Sequence, residues 1–580
     1  MHRWSVLHRL LFIMITGFFY SALTAQSSQN ITFWSNLPHE QLCDAIISQM
    51  SDEELFAQIL MFGWAGSEPS PLLLDWIKLR SLGSVKVYGW NTDNIISVAS
   101  AVTQTQKLSQ ENRFQIPLYV ATDQEGGWIR HIKGSTSDTP GNLAIGASGY
   151  PIDAYLSGYY IAKELRALGI NMNFAPTVDL YTSHESTVIG PRSFGENPYE
   201  SAVFGAAFAE GSMKAGVIPT AKHFPGHGDT GDDSHGYLPQ IDADKQTLDV
   251  RELVPFKYLI AENIPAIMSG HLSFPNITSN GEPASLSRYF LTDLLRKEMG
   301  YKGLIITDDM MMNGATLYSG GLSIAVRMAI EAGNDIVISS TTALLNEALW
   351  RNNLALMKTD SVFKGYVKKA ARRVILSKLA YFKGSDPVPL YPDISAIPSL
   401  VPDPEGQSFF LEQACRSITL FKKGQFPYIT GSLSADNASV KLVNNDRVLL
   451  AGHYQSFFDY GKLAYPDSAF YKFSVSMGPN ETAYTEEHLP RFAQNYDTVI
   501  MCVSNAQDVR VAKALAKTSV RLIIISIMAP VHAFDIDADT ILLAYSYSPY
   551  SFEAVFSALK GDFEPQGVLP LQLLPAEYKE

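Results

Sequence analysis

Gly216-Val217-Ile218-Pro219-Thr220-Ala221-Lys222-His223-Phe224-Pro225-Gly226-His227-Gly228-Asp229-Thr230-Gly231-Asp232-Asp233-Ser234-His235 joins an apolar run to a loop dense in titratable groups. Val217–Ala221 has the length and composition of a buried strand, and three glycines with Pro225 keep the chain beyond it from continuing as strand or helix. A strand that ends at Lys222 and opens into a histidine- and aspartate-rich loop is how parallel α/β proteins build active sites. Outward from this stretch the same alternation recurs. Further strand-length runs are Ser84–Gly89, Pro117–Thr122, Met172–Pro176, Ala266–Ser269, Leu304–Thr307 and Asp335–Ser339. Helix-length amphipathic stretches lie between them, at Ile152–Leu168, Ser201–Ala215, Leu248–Glu262, Arg288–Met299 and Leu322–Ala332. Such alternation implies parallel strands with crossover helices. Seven or eight units between residues 36 and 383 fit a (β/α)8 barrel better than an open sheet.

A chain of 580 residues exceeds one ordinary core, so a second domain is expected. Six prolines between Gly384 and Gly406 predict a stiff connector over 384–406. Beyond it, Val448–Leu450, Thr498–Val503, Leu522–Ile527 and Ile541–Tyr545 read as strands, with helices at Asp508–Lys517 and Ser551–Leu559. Residues 407–580 therefore predict a smaller C-terminal α/β sandwich domain. A net charge of −13 argues against a nucleic-acid partner. The three cysteines, Cys43, Cys415 and Cys502, are scattered and provide neither a disulfide framework nor a C-x-x-C metal site. Arg3, His8 and Arg9 precede the apolar run Leu10–Phe19, and Leu23-Thr24-Ala25 follows it. That pattern predicts a signal peptide over residues 1–25 and export to the periplasm or medium, with no stable membrane insertion after cleavage.

Several strands end on polar residues: Asp123, Lys222, His271 and Asp308. In a barrel these ends meet at one face and surround one pocket. A carboxylate at a strand end, such as Asp308, is held rigidly and can attack a carbon centre or stabilise a cation. Asp309 follows directly, and in a continuing strand the two side chains point to opposite sides. In Asp233-Ser234-His235 the carboxylate can orient the imidazole, which makes a general acid/base titrating near neutrality. Ser234 lacks the Gly-x-Ser-x-Gly context of a nucleophile. The His223-x3-His227 spacing would suit a helix-borne metal, but Pro225 and Gly226 break the helix, so no metal and no cofactor is expected. His227 instead reads as a residue that shapes the loop. Asp123, in Asp123-Gln124-Glu125-Gly126-Gly127, can accept two hydroxyl hydrogen bonds, as sugars offer them. Glu125 is either a second acidic contact or structural, and Trp128 reads as core rather than as a sugar platform. Arg192 is a loop arginine suited to a ligand or a neighbouring carboxylate.

Taken together, Lys222–His235, Asp123–Gly127, Gly190–Phe194 and Ile306–Met310 resemble the family 3 glycoside hydrolases, and more narrowly their β-N-acetylglucosaminidase branch. The likeness spans the barrel region, and the barrel–linker–sheet layout is similar to that of two-domain members. It implies a retaining, exo-acting β-N-acetylhexosaminidase with a carbohydrate substrate, such as peptidoglycan or chitin-type fragments. Within that resemblance Asp308 is the nucleophile, His235 the acid/base and Asp233 its partner, while Asp123, Arg192, Lys222 and His223 contact the sugar. The family usually has an arginine eight positions after the aspartate matching Asp123; here that position is His131, preceded by Arg130. Either a guanidinium still reaches the site from a shifted backbone, or one sugar contact is weakened. A β-glucosidase or β-xylosidase of the same family, or a catalytically silent sugar-binding protein, are the competing expectations.

Overall fold

The computed structural model describes residues 31–186, 189–231, 236–429 and 446–572. The predicted signal peptide over residues 1–25 lies outside them. Eight parallel strands close a barrel: β1 (Leu60–Phe62), β2 (Ser84–Lys86), β3 (Tyr119–Thr122), β6 (Met172–Asn173), β7 (Ile218–Phe224), β8 (Ala266–Ser269), β9 (Leu304–Asp309) and β10 (Ile336–Ser339). Between β3 and β6 a small antiparallel hairpin, β4 (Gln124–Gly126) with β5 (Ile129–Arg130), projects over the C-terminal mouth. Its turn uses Gly126 and Gly127 at positive φ, and a Cβ on Gly127 would lie 3.2 Å from the backbone of Gly141. Barrel strands are buried on both faces, which is why they read as unbroken apolar runs.

Seven of these strands coincide with the runs read from sequence. The eighth, β1, is three residues long and follows the helix Asp52–Gln58 almost directly. Its Leu-Met-Phe cannot be separated from the helical apolar pattern by periodicity. β7 runs two residues past the expected stop at Lys222, and its register against β8 shifts between Ala221 and Phe224. The stretch Leu248–Glu262 forms two helices, Lys245–Val250 and Leu253–Ala261.

The second domain is a six-stranded sheet built from β11 (Thr419–Lys422), β12 (Val448–Gly452), β13 (Ala469–Lys472), β14 (Thr498–Val503), β15 (Arg521–Ser526) and β16 (Thr540–Leu543). Its order is β11-β16-β15-β14-β12-β13, parallel except for β11. Side chains alternate by the strand period: Leu449, Val499, Met501 and Ile524 pack towards the helices Pro479–Ala493 and Ala506–Leu515. Leu450, Ile500, Ile523 and Leu542 pack towards Pro404–Ser417, Gln455–Ala464 and Pro549–Lys560. The result is the helix–sheet–helix sandwich anticipated from sequence. Within the proline-rich segment, Asp386 pairs with Arg166 of the barrel at 2.6 Å, and Asp403 caps the helix that Pro404 opens. Arg416 on that helix clasps the buried Asp153 of the barrel through Nη2 at 2.7 Å and Nε at 3.1 Å. Among the described residues no helix is long and apolar enough to cross a membrane.

Candidate active site

The C-terminal strand ends enclose a cavity of about 420 Å³. On one wall, Lys222 Nζ lies 2.6 Å from Asp123 Oδ1 and 2.6 Å from Glu125 Oε1. Lys86 Nζ, at the end of β2, is 2.8 Å from Asp123 Oδ2. Arg192 grips Glu125 at two points, Nε at 2.9 Å and Nη2 at 2.8 Å. Burial alone would raise both acids. The positive charges of Lys222 and Lys86 outweigh it and hold Asp123 well below the usual carboxylate range, and Arg192 with Lys222 holds Glu125 at about 2. Two carboxylates therefore stay ionised against three cations, and hydroxyl groups entering the cavity meet fixed charges of both signs. Glu125, 2% exposed, is an anchor for Lys222 and Arg192 rather than a free acidic group.

The shift in β7 lets adjacent Lys222 and His223 both line the cavity. Asp179, just beyond β6 and fully buried, accepts the backbone N–H groups of His223 at 3.1 Å and His227 at 2.7 Å. Its other oxygen is 2.6 Å from His223 Nδ1, which places the ring proton there and turns Nε2 to the cavity. Nε2 is 3.4 Å from Arg192 Nη2 and 4.0 Å from Asp308 Oδ2. His227 also lines the cavity; burial, reinforced by His223, pushes its pKa down to about 4.

The paired aspartates at the end of β9 have separate tasks. Asp309 Oδ1 accepts the N–H groups of Met311 and Ser340, both at 3.0 Å, and its Oδ2 accepts the Tyr88 hydroxyl at 3.1 Å. Among the described residues Asp308 accepts one hydrogen bond, from the Asp309 N–H at 2.7 Å. Its other oxygen faces the cavity. Burial would raise its pKa, but the electropositive imidazoles of His223 and His271 and the Asp309 N–H bring it to about 2. Asp308 is thus an ionised carboxylate with an oxygen available for chemistry.

His131 stands in the cavity wall with Nδ1 3.4 Å from Asp123 Oδ2, and burial lowers its pKa to about 4 despite that neighbour. At neutral pH it is an uncharged ring. Arg130 does not supply the missing guanidinium: its Nη1 donates to Thr136 O at 3.0 Å and Oγ1 at 3.1 Å, on the hairpin's other side. His271, fully buried, does not line the cavity; its Nδ1 meets Ser285 Oγ at 2.6 Å and its Nε2 donates to Asp309 O at 3.0 Å. Trp128 is 36% exposed on the hairpin turn, which corrects its reading as core. A glycine-gated turn lifts it clear of the barrel. Asp233 and His235 lie outside the described residues. Among the described residues no group of three or more His, Cys, Asp or Glu is arranged to hold a metal.

Sequence reasoning brought Asp123, Arg192, Lys222, His223, His131 and Asp308 to one cavity, and it missed Lys86, Tyr88 and Asp179. Lys86 is a single charge inside the run Ser84–Gly89, flanked by Val85 and Val87, so the run's polar end does not point to it.

Lys222→Met is expected to cost about 3–5 kcal/mol in urea denaturation, because it leaves two buried carboxylates short of a counter-charge. Asp123 and Glu125 titrate below their unfolded values, so they stabilise the fold above those values and lose that contribution as pH falls through the folded ones. Without Lys222 both acids titrate higher and protonate sooner. The deficit therefore narrows between about pH 7 and pH 4; a deficit that does not change with pH would contradict this account.

A charged pocket at the C-terminal mouth of a closed (β/α)8 barrel, where among the described residues Asp308 keeps one oxygen without a hydrogen bond, defines an enzyme site. The sequence pattern of the glycosyl hydrolase family 3 N-terminal domain matches residues 52–376, more than half of the chain. The chain belongs to glycosyl hydrolase family 3. It is 35% identical over 319 residues to a beta-hexosaminidase A of Pseudoalteromonas piscicida; the match covers 50% of this chain and 53% of that protein. It is 32% identical over 298 residues to a beta-hexosaminidase of Xylella fastidiosa (strain M23), covering 50% of this chain and 86% of that one. A solved family 3 beta-N-acetylglucosaminidase from Paenibacillus sp. str. FPU-7 superposes with a TM-score of 0.80 at 28% identity, over 90% of this chain and 99% of that chain.

Proposed function

We propose that the protein is an exo-acting, retaining β-N-acetylhexosaminidase that removes terminal β-linked N-acetylglucosamine from peptidoglycan- or chitin-type fragments. The observation that carries the reading is Asp308: an ionised carboxylate with an oxygen free to react, 4.0 Å from His223 and in one cavity with the Lys222–Asp123 pair. The hexosaminidase relatives support the N-acetylated sugar.

Asp123, Lys222, Arg192 and His223 hold the ring by hydroxyl and carbonyl contacts. Asp308 attacks C1 and forms a glycosyl ester while the bond to the leaving oxygen breaks, and His235 gives that oxygen its proton. His235, oriented by Asp233, then takes a proton from water. The water oxygen bonds to C1, the ester breaks and Asp308 is regenerated, so the anomeric configuration is retained. Neutral His131 makes a weaker contact to Asp123 and the sugar than a guanidinium would.

A panel of nitrophenyl β-glycosides tests the assignment. The N-acetylglucosaminide is expected to be cleaved most efficiently, with β-configured sugar as the first product. Preference for the glucoside or xyloside would place the chain with the family's β-glucosidases, and no turnover of any glycoside would make it a binding protein. The basic, apolar, small-residue pattern of residues 1–25 supports export; an intact Met1 in the mature protein would contradict it.

A further inference from the structure

Beyond the charged wall, the cavity rim carries an aromatic group that the proposed chemistry does not use. Trp90 lies in the turn Gly89–Asn91 after β2, lines the cavity and is 55% exposed. A tryptophan so exposed usually has freedom to rotate, but this one is pinned. Its Nε1 donates to Trp64 O at 2.7 Å. Its ring stacks on Tyr88 at 4.6 Å between centroids with only 3° between planes. Tyr88 is itself buried and fixed, through its hydroxyl to Asp309 and its N–H to Asn91 Oδ1 at 2.8 Å. Asn91 Nδ2 returns to Trp64 O at 3.0 Å, so the whole turn is locked. One indole face is covered by Tyr88, which leaves the other as the exposed one. Met311, 42% exposed and two residues past Asp309, adds apolar surface to the same cavity.

The cavity is therefore two-sided. Buried charges crowd the side formed after β3, β6 and β7, joined there by Lys86 from the end of β2, while the turn after β2 presents the pinned Trp90 and the loop after β9 adds Met311. Charges recognise hydroxyl and amide groups, whereas a flat, pre-oriented indole recognises the C–H face of a pyranose, with little entropy lost on binding. We propose that Trp90 is the stacking platform of a second sugar subsite on the leaving-group side of the scissile bond, and that it selects substrates whose aglycone is itself a pyranose. This rests on reading the cavity as a glycosidase site with Asp308 beneath the anomeric carbon. Because Trp90 lies at the rim and the charged residues lie deeper, the terminal sugar occupies the charged side and the next ring meets the indole.

The test compares N,N′-diacetylchitobiose, which has a sugar leaving group, with N-acetylglucosaminyl β-fluoride, which has none. The measured quantity is the ratio of their kcat/KM values in wild type, Trp90→Ala and Trp90→Phe. Loss of one sugar–indole stack should lower the ratio about tenfold in Trp90→Ala. Trp90→Phe, which keeps a ring without the Nε1 bond, should recover most of it. An unchanged ratio in Trp90→Ala, or equal losses on both substrates, would overturn the proposal. If wild type cleaves only glucosides, the functional reading fails by itself, and cellobiose against β-glucosyl fluoride then decides the role of Trp90 by the same ratio.

Discussion

Asp308→Ala is expected to lower kcat/KM on nitrophenyl N-acetyl-β-glucosaminide by about 10⁴-fold or more, with the fold intact. That factor corresponds to about 5.5 kcal/mol of lost transition-state stabilisation. The structure gives the reason for so large an effect. Asp309 spends both oxygens on Tyr88, Met311 and Ser340, so it cannot swing in as a substitute. Added azide should restore turnover by entering the space left by the carboxylate. It would attack C1 from the same side, and the product would be the glycosyl azide of inverted configuration. Residual activity near wild type, or a rescued product of retained configuration, would remove Asp308 from the nucleophile's role. Since the Asp308 pKa is lowered to about 2, the carboxylate remains charged through the whole working range. Any loss of activity between about pH 6 and pH 3 must then report a different group, and the acid limb should keep its midpoint when the Asp308 environment is altered by His271→Gln.

The second large effect is expected at His235. His235→Ala should slow hydrolysis of a disaccharide by about 10²–10⁴-fold, because a sugar alkoxide leaves poorly without a proton. A nitrophenolate leaves unaided, so with that substrate the first step should survive while water attack, which needs the same imidazole as base, becomes slow. A burst of nitrophenol equal to the enzyme concentration, followed by a slow steady state, is the signature. Equal losses on both substrates, with no burst, would assign the proton transfer elsewhere. Asp233→Asn should give a weaker form of the same pattern, since it leaves the imidazole in place but removes the charge that orients it.

How much of the site was legible depended on whether a residue's signal was local. Lys222, His223 and Asp308 stand out because each closes an apolar run with a polar group, a contrast visible within six residues. Lys86 sits inside its run, between Val85 and Val87, where one lysine has many ordinary explanations. Asp179 is a harder case. Its importance lies in meeting His223 and His227 across more than forty positions of chain, and nothing beside it in sequence announces that. Trp90 is similar: its rigidity comes from Trp64 and Tyr88, and a lone tryptophan in a loop reads equally as core or surface.

The sequence alone determined the barrel, the sandwich behind it and the family likeness. Strand burial and helix periodicity are local, and the loop from Lys222 to His235 is distinctive by composition. Apart from what the likeness implies, it left open which of Asp308 and Asp309 faces the substrate, whether Glu125 is free, and whether Arg130 replaces the absent arginine at position 131. Those questions turn on which partner each side chain meets. Only the closed barrel decides that, by bringing Lys86, Asp123, Arg192 and Lys222 within hydrogen-bond reach of one another or of a shared carboxylate. Charge placed in a low-dielectric pocket interacts strongly over a few ångströms and negligibly along an extended chain, so the chemistry of the site is a property of the fold.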